Sequence, residues 1–160
     1  MKTDQKNMFT IRAYGLYLKN LGSEPMVLVA DEIIKGRRIT KFPGGGLEYG
    51  EGLKECLVRE VKEELEAEAI DLEHFYTTDF FQQSTFHTDP MQVISVYYLF
   101  DMHAPGKIKL MNAPFAYNDP QQREGFRMVL LRTAPADAMS LPIDRIVLGM
   151  LKEKFGETRL

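Results

Sequence analysis

Residues 37–65 pass from a β-type run, across a turn, into a helical run, and no other stretch constrains the fold as tightly. The strand-like run at 37–42 leads into Pro43, Gly44, Gly45 and Gly46. Proline fixes its own φ and glycine reaches conformations closed to other residues, so these four read as a sharp turn. Beyond Gly52, which is an acceptable N-cap, Leu53, Leu57, Val61 and Leu65 recur every fourth residue. That spacing makes one apolar stripe on a helix over about 53–65. A strand feeding a helix through a tight turn predicts a sheet with helices packed on it.

The rest of the chain repeats these two patterns. Stretches 8–19, 25–31, 74–83, 91–102 and 126–132 are rich in Val, Ile, Tyr, Phe and Thr and read as strands. A second helix is expected over about 143–155. It places Ile146, Val147, Met150 and Leu151 on one side, Asp144 in its first turn, Lys152 and Lys154 near its end, and Gly156 as a stop signal. The prediction is an α/β chain with a mixed sheet covered by helices, 1–160 forming one domain. The 104–125 stretch reads as a long loop, and loops of that length are usually functional or mobile.

Charge and composition remove several function classes. The formal net charge is -3, which argues against a nucleic-acid surface, since phosphate contact along a strand needs a basic patch. It leaves room for a small phosphorylated substrate whose charge a bound cation offsets. The single cysteine, Cys56, forms no internal disulfide and reads as a small core residue. Met1 to Phe9 is polar, without a signal-peptide core, and no run nears the ~20 apolar residues of a membrane span. A soluble cytoplasmic protein is expected, and a homodimer is compatible with the sequence.

The chemistry is concentrated in 48–73, where ten acids face only three bases, Lys54, Arg59 and Lys62. Glu60, Glu63 and Glu64 fall at i, i+3 and i+4 of the first helix and so share a face. Clustered like charges destabilise a helix, and a hard divalent cation removes that penalty. An acidic helix face is often only a solvated face, and a glycine run often only a turn. Their combination and spacing say more. Five residues separate Gly45 from Glu51, and seven more precede Arg59-Glu60. Val61, Lys62 and Glu63-Glu64 follow.

This pattern over 45–67 resembles the Nudix box, the signature of the Nudix hydrolase family. Every charged position of the box is present, and Gly45 and Val61 match as well. The box's closing glycine is replaced by Glu66, with Ala67 at the last aliphatic place. Glutamate there predicts either a strained left-handed residue or a helix that runs on. The resemblance implies a Nudix-type α/β/α sandwich around a mixed β-sheet. It also implies a hydrolase that cleaves the diphosphate linkage of a nucleoside diphosphate joined to another moiety.

By the same resemblance, Glu60, Glu63 and Glu64 bind magnesium, which manganese is able to replace, with the Gly45 carbonyl as a further ligand. Arg59 projects away from the metal face and pairs with Glu51, bracing the loop. The catalytic set is Glu51, Arg59, Glu63 and Glu124, the last as general base from the loop before the final strand, where Asp119 is the other acid. Phe80, Phe81 and Phe86 are candidates for stacking a base, set against the expectation that at least two of them are core. His74, His87 and His103 show no metal spacing and read as surface or strand residues. Two other readings remain. A non-catalytic Nudix-fold nucleotide-binding module would be favoured by loss of a box glutamate, and none is lost. An allylic diphosphate isomerase would need an active-site cysteine, and Cys56 lies beside the core stripe.

Overall fold

The computed structural model describes residues 8–157, so Met1 to Asn7 of the polar N-terminal stretch lie outside the described residues. Strand β1 is Met8–Lys19, β2 Met26–Ile34, β3 Arg37–Lys41 and β4 Gly44–Gly46. Helix α1 is Leu53–Leu65. Strands β5 (Glu68–Thr77), β6 (Met91–His103) and β7 (Glu124–Leu130) follow, and α2 (Pro142–Phe155) closes the described chain. The sheet runs β3-β2-β1-β6-β5, with β4 added to β1 and β7 to β2. β1 and β6 are parallel and the other pairs antiparallel, which makes the sheet mixed.

Alternation along the strands gives each face its own core, because successive side chains point to opposite sides. Ala13, Tyr17, Leu28, Ala30, Val96 and Tyr98 pack against Cys56, Leu57, Val61 and Leu65 of α1. Their neighbours Tyr14, Leu16, Val27, Val29 and Tyr97 pack against Ile143, Val147, Leu148 and Leu151 of α2. The architecture is therefore an α/β/α sandwich. Each fully buried leucine contributes about 1.5–3 kcal/mol of burial. Among the described residues no helix is long and apolar enough to cross a membrane.

Three local readings of the sequence are corrected. The glycine turn is itself a short strand: Gly44, Gly45 and Gly46 pair with Tyr14, Ala13 and Arg12. The strand expected over 74–83 is β5, which begins at Glu68 and ends at Thr77. It follows directly from the helix exit, and register shifts between Ile70 and Glu73 and between His74 and Tyr76 break its alternation. Beyond Thr77, a bridge from Gln83 to Gln92 holds the chain to β6. Phe80 and Phe81 are exposed and Phe86 half-buried, so none of the three is core. All three follow the end of β5, and only Phe86 is partly covered, by residues at the start of α2.

Glu66 takes the first of its two expected conformations. It is left-handed, φ 53° and ψ 31°, and its N–H donates to the Lys62 carbonyl. Helix α1 stops there, and β5 starts two residues later.

Candidate active site

Strand β4 lays the glycines against α1. A Cβ added at Gly45 would collide with the Glu60 carboxylate, and one at Gly44, whose φ is +141°, would collide with the Ala13 carbonyl. Glycine is required at Gly44, where backbone blocks any side chain and φ is positive, while a side chain at Gly45 would displace the Glu60 carboxylate. The Gly44 N–H donates to Glu64 Oε2 at 3.2 Å, tying β4 to the helix.

Glu60 and Glu64 face this glycine strand. Glu63 is on the rim, its side chain 59% exposed against 14% for Glu60. Arg59 does not project away from them. Its Nη1 donates to Glu60 at 3.0 Å and to Glu63 at 3.3 Å. The same guanidinium forks onto Glu51 at 2.7 and 2.9 Å and donates to the Gly46 carbonyl at 3.1 Å. A long side chain with five donors reaches the loop and two helix acids at once, which direction along the helix alone does not foresee. The Arg59 hydrogen bonds hold the Glu51 carboxyl down at about 2. Glu51 in turn accepts the Glu48 N–H at 2.9 Å, so the loop before α1 is braced at both ends.

The sheet brings three more charges to this side. Lys41 of β3 is buried, 3.4 Å from Glu32 of β2 and 3.4 Å from the Gly44 carbonyl. Glu124 is the first residue of β7 and pairs in register with Glu32. Burial alone would lower the Lys41 pKa, but Glu64, then Tyr14, Glu32 and Glu124, outweigh it and raise it. Glu64 is pushed up to about 8, chiefly by burial and then by Glu124 and Glu60, with Lys41 opposing. Glu124 is raised above the usual carboxylate range, again by burial first, with Glu32 and Glu60 adding to it. Lys41 and Glu32 are site residues that the sequence reading missed. A lysine ending a strand one residue before the Pro-Gly turn carries little signal alone, and Glu32 is one acid in an alternating strand. Asp119 caps its own turn by accepting the Gln121 N–H.

Beside Glu63, Glu64 and Glu124 a groove of about 670 Å³ opens, walled by Lys107, Lys109 and Asn112 of the long loop. Phe80 and Phe81 do not line it, and Phe86 lines a different cavity, on the α2 face. Cys56 is buried in the core with its thiol pushed up to about 12, chiefly by burial. His74 and His103 are exposed, and His87 contacts Ser84 Oγ.

Among the described residues no three His, Cys, Asp or Glu side chains are gathered around one cation position. The donor set nonetheless fits a hard divalent cation. Glu60, Glu64 and Glu124 supply only hard oxygen donors; Glu124 and Glu60 raise the proton affinity of Glu64, and Glu32 and Glu60 that of Glu124.

The sequence profile of the NUDIX domain matches residues 10–142. The chain belongs to the NUDIX family. The fold agrees across solved structures of low identity. The E. coli ORF135 protein superposes with a TM-score of 0.65 at 17% identity, over 92% of each chain. A MutT NUDIX hydrolase from Burkholderia pseudomallei gives 0.62 at 14%, over 89% of this chain and 98% of its own. A MutT protein from Methanosarcina mazei gives 0.61 at 18%, over 95% and 99%. A search of the curated proteins finds no match. Membership implies a small-molecule substrate and hydrolysis of a pyrophosphate link.

Proposed function

We propose that residues 1–160 form one metal-dependent hydrolase that cleaves the diphosphate linkage of a nucleoside diphosphate joined to another moiety. The observation that carries this reading is that Glu60 and Glu64 are set against β4 with Glu124 close enough to act on Glu64. Burial and neighbouring carboxylates raise the pKa of Glu64 and Glu124, with Lys41 opposing both and the Gly44 N–H also opposing at Glu64. Glu60 and Glu64, with the Gly45 carbonyl, would hold magnesium, or manganese in its place, and Glu63 would reach it from the rim. When bound, the cation neutralises the diphosphate and lowers the pKa of the attacking water.

The chain's own residues do the rest. Glu124 accepts the proton of that water as its oxygen attacks phosphorus. The phosphoanhydride P–O bond breaks, and the displaced phosphate leaves with the bond's electron pair. Lys41 lies beneath these carboxylates and favours their ionised forms. Arg59 and Glu51 hold the loop that presents Gly45 and Gly46. The groove walled by Lys107, Lys109 and Asn112 has room for the rest of the substrate.

The test is a panel of nucleoside triphosphates, nucleotide sugars, ADP-ribose and dinucleoside polyphosphates with and without magnesium, with the products identified. Cleavage between two phosphates that stops with excess chelator is expected. Full turnover in chelator, or no cleavage of any member, would overturn the reading.

A further inference from the structure

Asp31 is fully buried, and the proposed reaction gives it no part. It stands beside Glu32 on β2, and the two side chains point to opposite faces. Glu32 reaches Lys41 at the carboxylate cluster, whereas Asp31 continues the side that carries Val27 and Val29. Its Oδ1 accepts the Thr40 hydroxyl at 2.7 Å and Arg127 Nη2 at 3.2 Å. Its Oδ2 accepts Arg127 Nε at 2.6 Å and the Phe115 N–H at 3.2 Å. Two hydrogen bonds on each oxygen satisfy a carboxylate. Thr40 belongs to β3 and Arg127 to β7, so three of these bonds stay within the sheet. The fourth reaches the long loop, 84 residues further along the chain.

The Phe115 contact is one of a set. Phe115 is held at φ 55°, a left-handed conformation that is costly for phenylalanine and persists only where its surroundings enforce it. The Arg38 guanidinium sits 5.2 Å from its ring centre, and Tyr117 packs edge-on against it. The Tyr117 hydroxyl donates to the Asp31 carbonyl at 2.8 Å. Where the loop enters β7, the Ile33 N–H donates to the Arg123 carbonyl at 2.7 Å. Phe115 and Tyr117 therefore turn back onto the sheet. Asn112, Ala116 and Asn118 of the same stretch line the groove beside Glu63, Glu64 and Glu124.

We propose that Asp31, held by Arg127, is a positioning residue: it fixes the 112–118 wall of the groove and so sets how tightly the moiety beyond the cleaved linkage is held. It acts through the loop, from the far side of β2. Glu124 is placed separately, by its pairing with Glu32, so the clamp governs affinity and leaves the chemical step alone. The effect on affinity rests on the hydrolase reading, and the clamp itself does not.

The full chain is compared with Asp31→Asn and Tyr117→Phe in three ways. These are hydrogen exchange without substrate, melting with and without magnesium, and kinetics on ATP, UDP-glucose, ADP-ribose and diadenosine tetraphosphate. Asp31→Asn keeps the shape and one acceptor oxygen but removes the charge opposite Arg127. Its 112–118 amides should exchange at least ~10-fold faster, with those of β1 and β6 unchanged. KM for a cleaved probe should rise ~10-fold or more with kcat within ~3-fold, the signature of binding lost equally from ground and transition states. The rise in melting temperature on adding magnesium should be unchanged. Tyr117→Phe removes one hydroxyl and should move exchange and KM the same way, by ~3-fold. If Asp31→Asn fails to fold, Tyr117→Phe decides. If no probe is cleaved, the hydrolase reading has failed, and loop exchange alone decides the clamp. Unchanged loop exchange in a folded variant, or a lower melting temperature with KM unmoved, would overturn the proposal.

Discussion

Each face of the sheet takes an acid out of solvent, Asp144 fully and Glu64 in part, and the two faces treat it differently. On the α2 side Asp144 is fully buried, and two neutral donors, the Tyr97 hydroxyl and the Phe42 N–H, satisfy it. On the α1 side Glu64 accepts one N–H, from Gly44, and faces Glu60 and Glu124. Burial raises both, Asp144 to about 6 and Glu64 to about 8. Asp144 is closed within its network, whereas Glu64 is crowded by charges of its own sign at the edge of a groove. Neutral hydrogen bonds make a structural acid, and like-charge crowding makes one suited to a cation.

The largest expected effect is on the crowded side. Glu64→Gln should lower turnover at least ~100-fold, the scale of losing one electrostatic contact in the transition state. Its melting temperature without metal should hold or rise, because burial already favours the uncharged form and the amide keeps an acceptor for the Gly44 N–H. A lower melting temperature with normal turnover would make Glu64 a structural acid like Asp144.

Next comes the brace between loop and helix. Arg59→Lys keeps a charge but loses the fork onto Glu51 and should cut activity by about 10-fold, the effect of a partner that orients ligands. Unchanged kinetics would mean that β4 stays in place without it.

The quiet side should show itself in pH. Asp144 has a folded pKa of about 6, above the ordinary ~3.9, so the folded state holds its proton more tightly. Its contribution to stability is full below pH ~4 and is lost as pH rises through 6, by about 2–3 kcal/mol in all. Asp144→Asn lacks this titration. The difference in unfolding free energy, native minus variant, should fall between pH 4 and 6. A flat difference would mean that burial does not perturb Asp144.

The smallest effect is at the helix exit. Glu66 is left-handed, so Glu66→Gly should stabilise the fold by up to ~1 kcal/mol and leave turnover nearly intact. Loss of metal affinity would draw Glu66 into the site.

The sequence makes the two faces unequally readable. Helix α1 is readable to its bounds because Leu53, Leu57, Val61 and Leu65 mark both its period and its core face. The spacing of Glu60, Glu63 and Glu64 goes with it. Strand β4 is not readable, since three glycines have no side chains to alternate and their pairing with β1 is purely backbone. The start of β5 is hidden by Glu68, Asp71 and Glu73, which look like more acidic helix, and by the left-handed residues Glu66 and Asp71. Lys41 and Glu32 join the cluster only because β2 and β3 pair across the sheet, a contact that local spacing does not encode. Phe80 and Phe81 mislead in the other direction, because hydrophobicity alone does not say that a layer will cover a residue.

The proposal of a cation at Glu60 and Glu64 is tested most directly by thermal melting with and without millimolar magnesium, on the unaltered protein and Glu64→Gln, with turnover measured on the same samples. A ligand that binds only the folded state raises its stability by RT ln(1 + [L]/Kd). The unaltered protein should therefore melt higher with magnesium, Glu64→Gln should lose most of that rise, and turnover should vanish with chelator. No magnesium shift in the unaltered protein, together with normal turnover by Glu64→Gln, would contradict the account.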